Sequence, residues 1–128
     1  MTNSDRLVLI AEDEPDNQAI LQTVVEALVG ARAEVASDGL TVLACVERER
    51  PGMILLDLMM PRLDGFEVAR KLKADPSTAG IPIVAVSALA RPDDREAALA
   101  AGCDDFVRKP FELDELEAKI RSYLGNGS

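Results

Sequence analysis

The residues of this chain best suited to do chemistry together are Glu12 and Asp13, Asp57, Ser87 and Lys109. Each lies at or just beyond the end of a run that reads as a strand. Taken singly, none is decisive. An acidic pair is usually a solvated loop, a serine is often a helix cap, and a lysine before proline is often a surface residue. An aspartate after a strand often caps a turn, but Pro61 and Asp64-Gly65 already supply turn chemistry here, which leaves Asp57 for another task. Carboxylates, a hydroxyl and an ammonium group arriving together from distant segments suggest one site. Two carboxylates ~4 Å apart repel by about 4 kcal/mol at an effective dielectric near 20, so such a cluster calls for cations. Lys109 supplies one. An oxygen-only site without histidine or cysteine ligands suits a hard divalent ion such as Mg²⁺.

The elements that must position these groups follow from the pattern. Leu7–Ala11 is a continuous apolar run and reads as the first strand. Met53–Leu56, bounded by Pro51-Gly52, runs without a break into Asp57 and reads as a strand buried on both faces. Ile81–Val86 is the fourth strand, followed by Ser87. Ala33–Ser37 and Asp105–Arg108 are more polar and read as edge strands. Between them lie helical patterns. Pro15 opens a helix with Ile20, Leu21, Val24, Val25 and Leu28 on one face, closed by Gly30. Asp38 caps a second, through about Arg48. Asp64 and Glu67 have capping-box spacing for a third, through about Ala74. Pro92, Asp93 and Asp94 suit the first turn of a fourth, with Gly102 at its exit. The last carries Leu113, Leu116, Ile120 and Leu124 on one face, before a loose tail at Gly125–Ser128.

Strands alternating with helices imply a three-layer α/β domain with a parallel five-stranded sheet. Apolar strands one, three and four belong in the centre, and right-handed crossovers allow the order 2-1-3-4-5. All carboxyl ends then lie along one edge, where open parallel sheets bind ligands.

Composition bounds the function. The chain has 128 residues, enough for one core, and 48% hydrophobic residues, too many for general disorder. Its 23 acidic and 14 basic residues give a net charge of -9, which argues against nucleic acid or an anionic membrane as direct partner. The absence of histidine excludes histidine triads, histidine-bearing zinc sites and a phosphohistidine on this chain. Cys45 and Cys103 lack metal-ligand spacing and read as small packing residues in a reducing compartment. With no signal-peptide pattern before the first strand and no run of membrane-spanning length, the expected location is cytoplasmic.

The set Glu12-Asp13, Asp57, Ser87-Ala88 and Lys109-Pro110, together with Met59-Met60-Pro61 and Asp64-Gly65, resembles the signature of the receiver domain of bacterial two-component response regulators. The resemblance spans residues 6–124 and implies a flavodoxin-like (βα)5 fold. Because the sequence stops shortly afterwards, it reads as a single receiver domain with no effector domain. It further implies that Asp57 is the phosphorylated nucleophile, taking a phosphoryl group from the phosphohistidine of a sensor histidine kinase or histidine phosphotransfer protein. Asp13 would bind Mg²⁺ (or Mn²⁺) directly and Glu12 through water, with Asp57 and the backbone carbonyl of Met59 completing the ligands. Lys109 would pair with a phosphoryl oxygen, and a cis bond before Pro110 would aim it inward. Ser87 would hydrogen-bond another phosphoryl oxygen and, with Phe106, form the switch toward a downstream protein target. Glu12 replaces the family's more usual Asp, and Phe106 its frequent Tyr, so that switch would rest on packing without a hydroxyl.

Rival readings leave traces that can be sought. A phosphorylation-independent binding module would have lost acidic or lysine residues at the site, and none is lost. The receiver of a hybrid histidine kinase fits the same residues. An aspartate-nucleophile phosphatase usually carries a second Asp two positions on, where this chain has Met59. A flavin site would want a Ser/Thr/Gly-rich phosphate loop where Glu12-Asp13-Glu14 stands.

Overall fold

The structure is a computed structural model, describing residues 6–89 and 91–124. The tail expected at Gly125–Ser128 lies outside the described residues. β1 (Leu7–Ala11), β2 (Arg32–Ala36), β3 (Met53–Leu56), β4 (Ile83–Ser87) and β5 (Asp105–Arg108) form one parallel sheet in the order 2-1-3-4-5. Helices α1 (Pro15–Thr23), α2 (Gly39–Arg48), α3 (Gly65–Ala74), α4 (Pro92–Ala101) and α5 (Leu113–Leu124) connect and cover it.

Alternation along the central strands divides the core in two. Leu9, Ile54, Leu56 and Ile83 pack with Val42, Val46, Val68, Leu72 and Ala98 of α2, α3 and α4. Val8, Ile10, Leu55, Val84 and Val86 face the other way, toward Leu21, Val24 and Val25 and toward Leu116 and Ile120 of α5. Both layers exclude water, which is why β1, β3 and β4 read as unbroken apolar runs. β2 and β5, at the edges, carry the polar residues.

The caps fall where expected. Asp38 accepts a hydrogen bond from Thr41 N at 2.9 Å, and Asp64 one from Glu67 N at 2.9 Å. Glu67 does not close the second arm of a box; its carboxylate pairs with Arg70 instead. Pro92 opens α4 and Gly102 caps its end. β4 begins at Ile83 rather than Ile81 and includes Ser87, while β2 begins at Arg32.

The first helix departs from the expected regular pattern. After Thr23 it continues as a π-helical segment, Val24–Val29, before Gly30. Val24 and Val25, which open this segment, are both buried in the core beneath the sheet. Ile20 and Leu28 lie at the surface, 43% and 41% exposed, although both were expected on the buried face. On α5, Leu116 and Ile120 are buried, whereas Leu113 at the first turn is 49% exposed. Both cysteines are buried as packing residues, and burial pushes the Cys103 thiol up to about 11. No helix among the described residues is long and apolar enough to cross a membrane.

Candidate functional site

The sheet reverses its winding between β1 and β3, and their carboxyl ends open a crevice there. β1 delivers Glu12 and Asp13, and β3 delivers Asp57, whose backbone N–H is held by Ala11 O at 2.9 Å. Beyond β4, Lys109 N donates to Ser87 O at 2.8 Å, which seats the end of β5 beside them. A cis peptide bond joins Lys109 to Pro110.

Glu12 is almost wholly buried, and its two oxygens are both engaged. Oε1 accepts from Lys109 Nζ at 2.7 Å and Oε2 from Glu14 N at 3.1 Å. Asp57 is 6% exposed; its Oδ2 accepts from Lys109 Nζ at 3.3 Å and its Oδ1 from Met59 N at 2.9 Å. Asp13 is exposed at the mouth. One carboxylate oxygen from each of Glu12, Asp13 and Asp57 lies within 4.8 Å of the others. This donor set, three hard oxygens with one open to solvent, fits a small divalent cation.

Electrostatics follow from the crowding. Burial pushes the Asp57 carboxyl up to about 6; the Met59 N–H opposes this, the Glu12 charge adds to it, and Lys109 opposes it again. Burial pulls the Lys109 ammonium down, but its bond to Glu12 and the charges of Asp57 and Glu12 outweigh that and raise it. An ammonium held charged beside a carboxylate whose charge is disfavoured is a site ready to accept further negative oxygens.

Not every expected residue enters the cluster. Ser87 is fully buried at the end of β4, and its Oγ accepts from Leu89 N at 3.2 Å; the hydroxyl makes no hydrogen bond to the Asp57 or Lys109 side chain among the described residues. Phe106 stands on β5 beside Ala85, half-buried against the α2–α3–α4 side of the core. Met59 points outward, 60% exposed, while its amide serves Asp57.

The sequence reading missed what holds the loop between β3 and α3. A Cβ on Gly65 would come within 2.6 Å of Asp57 O, so α3 begins directly against the strand end. A Cβ on Gly39, at the start of α2, would come within 2.0 Å of Leu63 O. Arg62, beside Leu63, adopts the left-handed region with φ 73 and pairs with Asp38 at 3.6 Å. The β2–α2 junction thus braces the loop whose amide grips Asp57. The Asp38-Gly39 dipeptide was the available signal, but it reads equally well as a plain helix start.

Residues 8–121 match the family model described as response regulator receiver domain. The chain is 41% identical over 111 residues to response regulator MprA of Mycobacterium leprae, covering 85% of this chain and 48% of that one. It spans about half the length of the first curated relatives it matches. Among solved structures it is similar to the receiver domain of sensor histidine kinase PA1611 from Pseudomonas aeruginosa, with a TM-score of 0.85, 33% identity, and 94% and 98% of the two chains covered. That structure has a magnesium ion coordinated in its active-site cleft. It is also similar to response regulator Rcp1 in its Mn²⁺-bound form, with a TM-score of 0.81, 25% identity and 96% of each chain covered. In this chain Glu12, Asp13 and Asp57 form an acidic cluster that could hold such an ion. On this fold, this cluster and these matches, the chain belongs to the response regulator receiver domain family.

Proposed function

We propose that Asp57 is the phosphoacceptor of this receiver and that its partner in the transfer is a phosphohistidine on a sensor histidine kinase or histidine phosphotransfer protein. The observation that carries this is the placement of Asp57: a buried carboxylate whose oxygens meet Lys109 at 3.3 Å and the Met59 amide at 2.9 Å, with Glu12 and Asp13 alongside. As a receiver the chain carries phosphoryl chemistry on itself and does not turn over other substrates.

In the transfer, an Asp57 oxygen forms the new O–P bond while the P–N bond to the donor imidazole breaks and the imidazole leaves with the electron pair. Lys109 offers an ammonium to the phosphoryl oxygens, exchanging part of its bond to Asp57 for one to the incoming group. The Met59 N–H holds the carboxylate so that one oxygen faces the donor. Ser87 reaches a phosphoryl oxygen by releasing Leu89 N. Glu12, Asp13, Asp57 and the Met59 carbonyl would hold Mg²⁺ or Mn²⁺, which when bound neutralises charge on the carboxylates and on the transferred group. Positioning and charge neutralisation are the main demands of in-line phosphoryl transfer. No second acid/base follows Asp57, since Met59 occupies the position a phosphatase would use.

The output is a change in affinity for a downstream protein, read on the face of α4, β5 and α5. Ser87 ends β4 and Lys109 follows β5, so both groups that respond to the phosphoryl adjoin that face. Phe106 lies half-buried on β5 and can repack as Ser87 moves.

The test is incubation with a small phosphodonor and Mg²⁺, followed by intact mass and peptide mapping. One phosphoryl group on the peptide containing Asp57, absent from Asp57→Asn, is the expected result. A modified Asp57→Asn protein would refute the assignment.

A further inference from the structure

Glu12 and Asp13 are neighbours in sequence, yet one carboxylate turns inward and the other outward. Glu12 is 1% exposed and paired with Lys109, while Asp13 is open to solvent at the mouth. The peptide unit between them is planar, so the atoms from Cα of Glu12 to Cα of Asp13 move as one body. Whatever fixes the Glu12 carbonyl therefore fixes the directions in which both side chains leave the strand end. That carbonyl is held by Gln18 of α1, whose Nε2 donates to it at 2.6 Å. A carbonyl only accepts, so the atom facing it is the amide nitrogen and not the amide oxygen. The same nitrogen also donates to Ser37 Oγ, beyond β2, at 3.2 Å. The other side of Glu12 is fastened to β2, its N–H donating to Ala36 O at 3.0 Å. Glu14, at the start of α1, makes no side-chain cap bond, so Gln18 is the side chain that ties the helix back to the strand end.

We propose that Gln18 is a positioning residue for the divalent cation, acting through the Glu12 carbonyl. Its two bonds go to Glu12 O and Ser37 Oγ, not to a carboxylate of the cluster. It sets the plane of the Glu12–Asp13 peptide, and that plane sets the spacing of the two carboxylates beside Asp57. Carboxylates this close repel one another, and Asp13, being exposed, is the one free to swing away. A fixed peptide plane holds it in reach before the ion arrives, and an outer partner that orients the ligands raises affinity for the metal. The residue type suits the task. An amide donates without bringing a charge. A lysine or arginine at this position would donate too, but its cation would compete with the divalent ion for the same carboxylates. A glutamate would set oxygen against oxygen. This inference rests on the cation site of the proposed function, not on the transfer reaction.

The experiment compares the full chain with Gln18→Met and Ser37→Ala. Methionine keeps the length of glutamine and its fitness for a helix but cannot donate. Ser37→Ala removes only the second bond. Mg²⁺ affinity is measured by calorimetry, and the rate of phosphorylation by a small phosphodonor is measured against Mg²⁺ concentration. Gln18→Met is expected to raise the Mg²⁺ Kd by about tenfold or more. The Mg²⁺ concentration for half-maximal phosphorylation should rise by the same factor, with the rate at saturating Mg²⁺ and the Tm in metal-free buffer close to native. Ser37→Ala should leave the Kd unchanged. Native Mg²⁺ affinity in Gln18→Met would overturn the proposal. An equal loss of affinity in Ser37→Ala would do the same, by assigning the effect to the link between loops. So would a fall in metal-free Tm and in saturating rate that matches the loss of affinity, the mark of a merely structural role. Calorimetry separates this inference from the phosphoacceptor assignment. A Kd that depends on Gln18, in a protein that takes no phosphoryl group on Asp57, upholds the first and overturns the second.

Discussion

Lys109 is bound more closely to Glu12 than to Asp57: its Nζ lies 2.7 Å from Glu12 Oε1 and 3.3 Å from Asp57 Oδ2. Glu12 is the more deeply buried of the two carboxylates, and this ammonium is its ion-pair partner. Removing one partner of a buried pair leaves the other uncompensated, at a cost of about 3–5 kcal/mol. Lys109→Ala is therefore expected to lower stability by roughly this amount at neutral pH. Adding Glu12→Gln to that variant should restore part of the loss. Urea denaturation of the two single variants and the double variant checks the coupling, and strictly additive losses would contradict it.

The pH dependence of Asp57 follows from its raised carboxyl, at about 6 against an ordinary 3.8. The folded state holds the Asp57 proton more tightly than the unfolded chain, so this group's contribution is fully present below the ordinary value. It is lost as pH rises through about 6. Asp57→Asn carries no such charge. In metal-free buffer its stability relative to the native sequence should be flat below pH ~4, rise between pH ~4 and ~6, and then level off at a gain on the order of 3 kcal/mol. Denaturant midpoints across that range measure it, and a gain that shrinks as pH rises would contradict the sign.

Gly39 should govern the loop that grips Asp57. Its φ lies outside the left-handed region, so alanine has no backbone penalty there, yet its Cβ would meet Leu63 O at 2.0 Å. Gly39→Ala is expected to cost about 1–3 kcal/mol, to lower hydrogen-exchange protection of the Met59 amide, and to slow phosphorylation by a small phosphodonor. Gly80, with nothing within 4 Å of an added Cβ, is the control: Gly80→Ala should leave Met59 protection unchanged.

Divalent cation should stabilise the fold by mass action, because the three carboxylates within 4.8 Å of one another hold excess charge without it. At a Mg²⁺ concentration of about ten times Kd the gain is ~1.4 kcal/mol. Asp13→Ala should abolish most of it. Tm measured against Mg²⁺ concentration tests both statements, and an equal rise in the variant would place the ion elsewhere.

Much of this molecule is legible locally. Unbroken apolar runs in β1, β3 and β4 mark strands covered on both faces, and the polar β2 and β5 mark edges. Asp38, Asp64 and Pro92 announce helix starts through hydrogen bonds made within a few positions. The carboxyl ends of parallel strands then nominate Glu12, Asp13, Asp57 and Lys109 without coordinates, since parallel strands share one edge. What only the folded chain decides are choices between partners far apart in sequence. The first helix widens at Val24, and Ile20 and Leu28 face outward while Val24 and Val25 are buried. Ser87 bonds Leu89 rather than the cluster because its hydroxyl is enclosed at the strand end. Lys109 lies closer to Glu12, the more deeply buried carboxylate, than to Asp57. Gly39 meets Leu63 through the packing of separate elements, which no local pattern records.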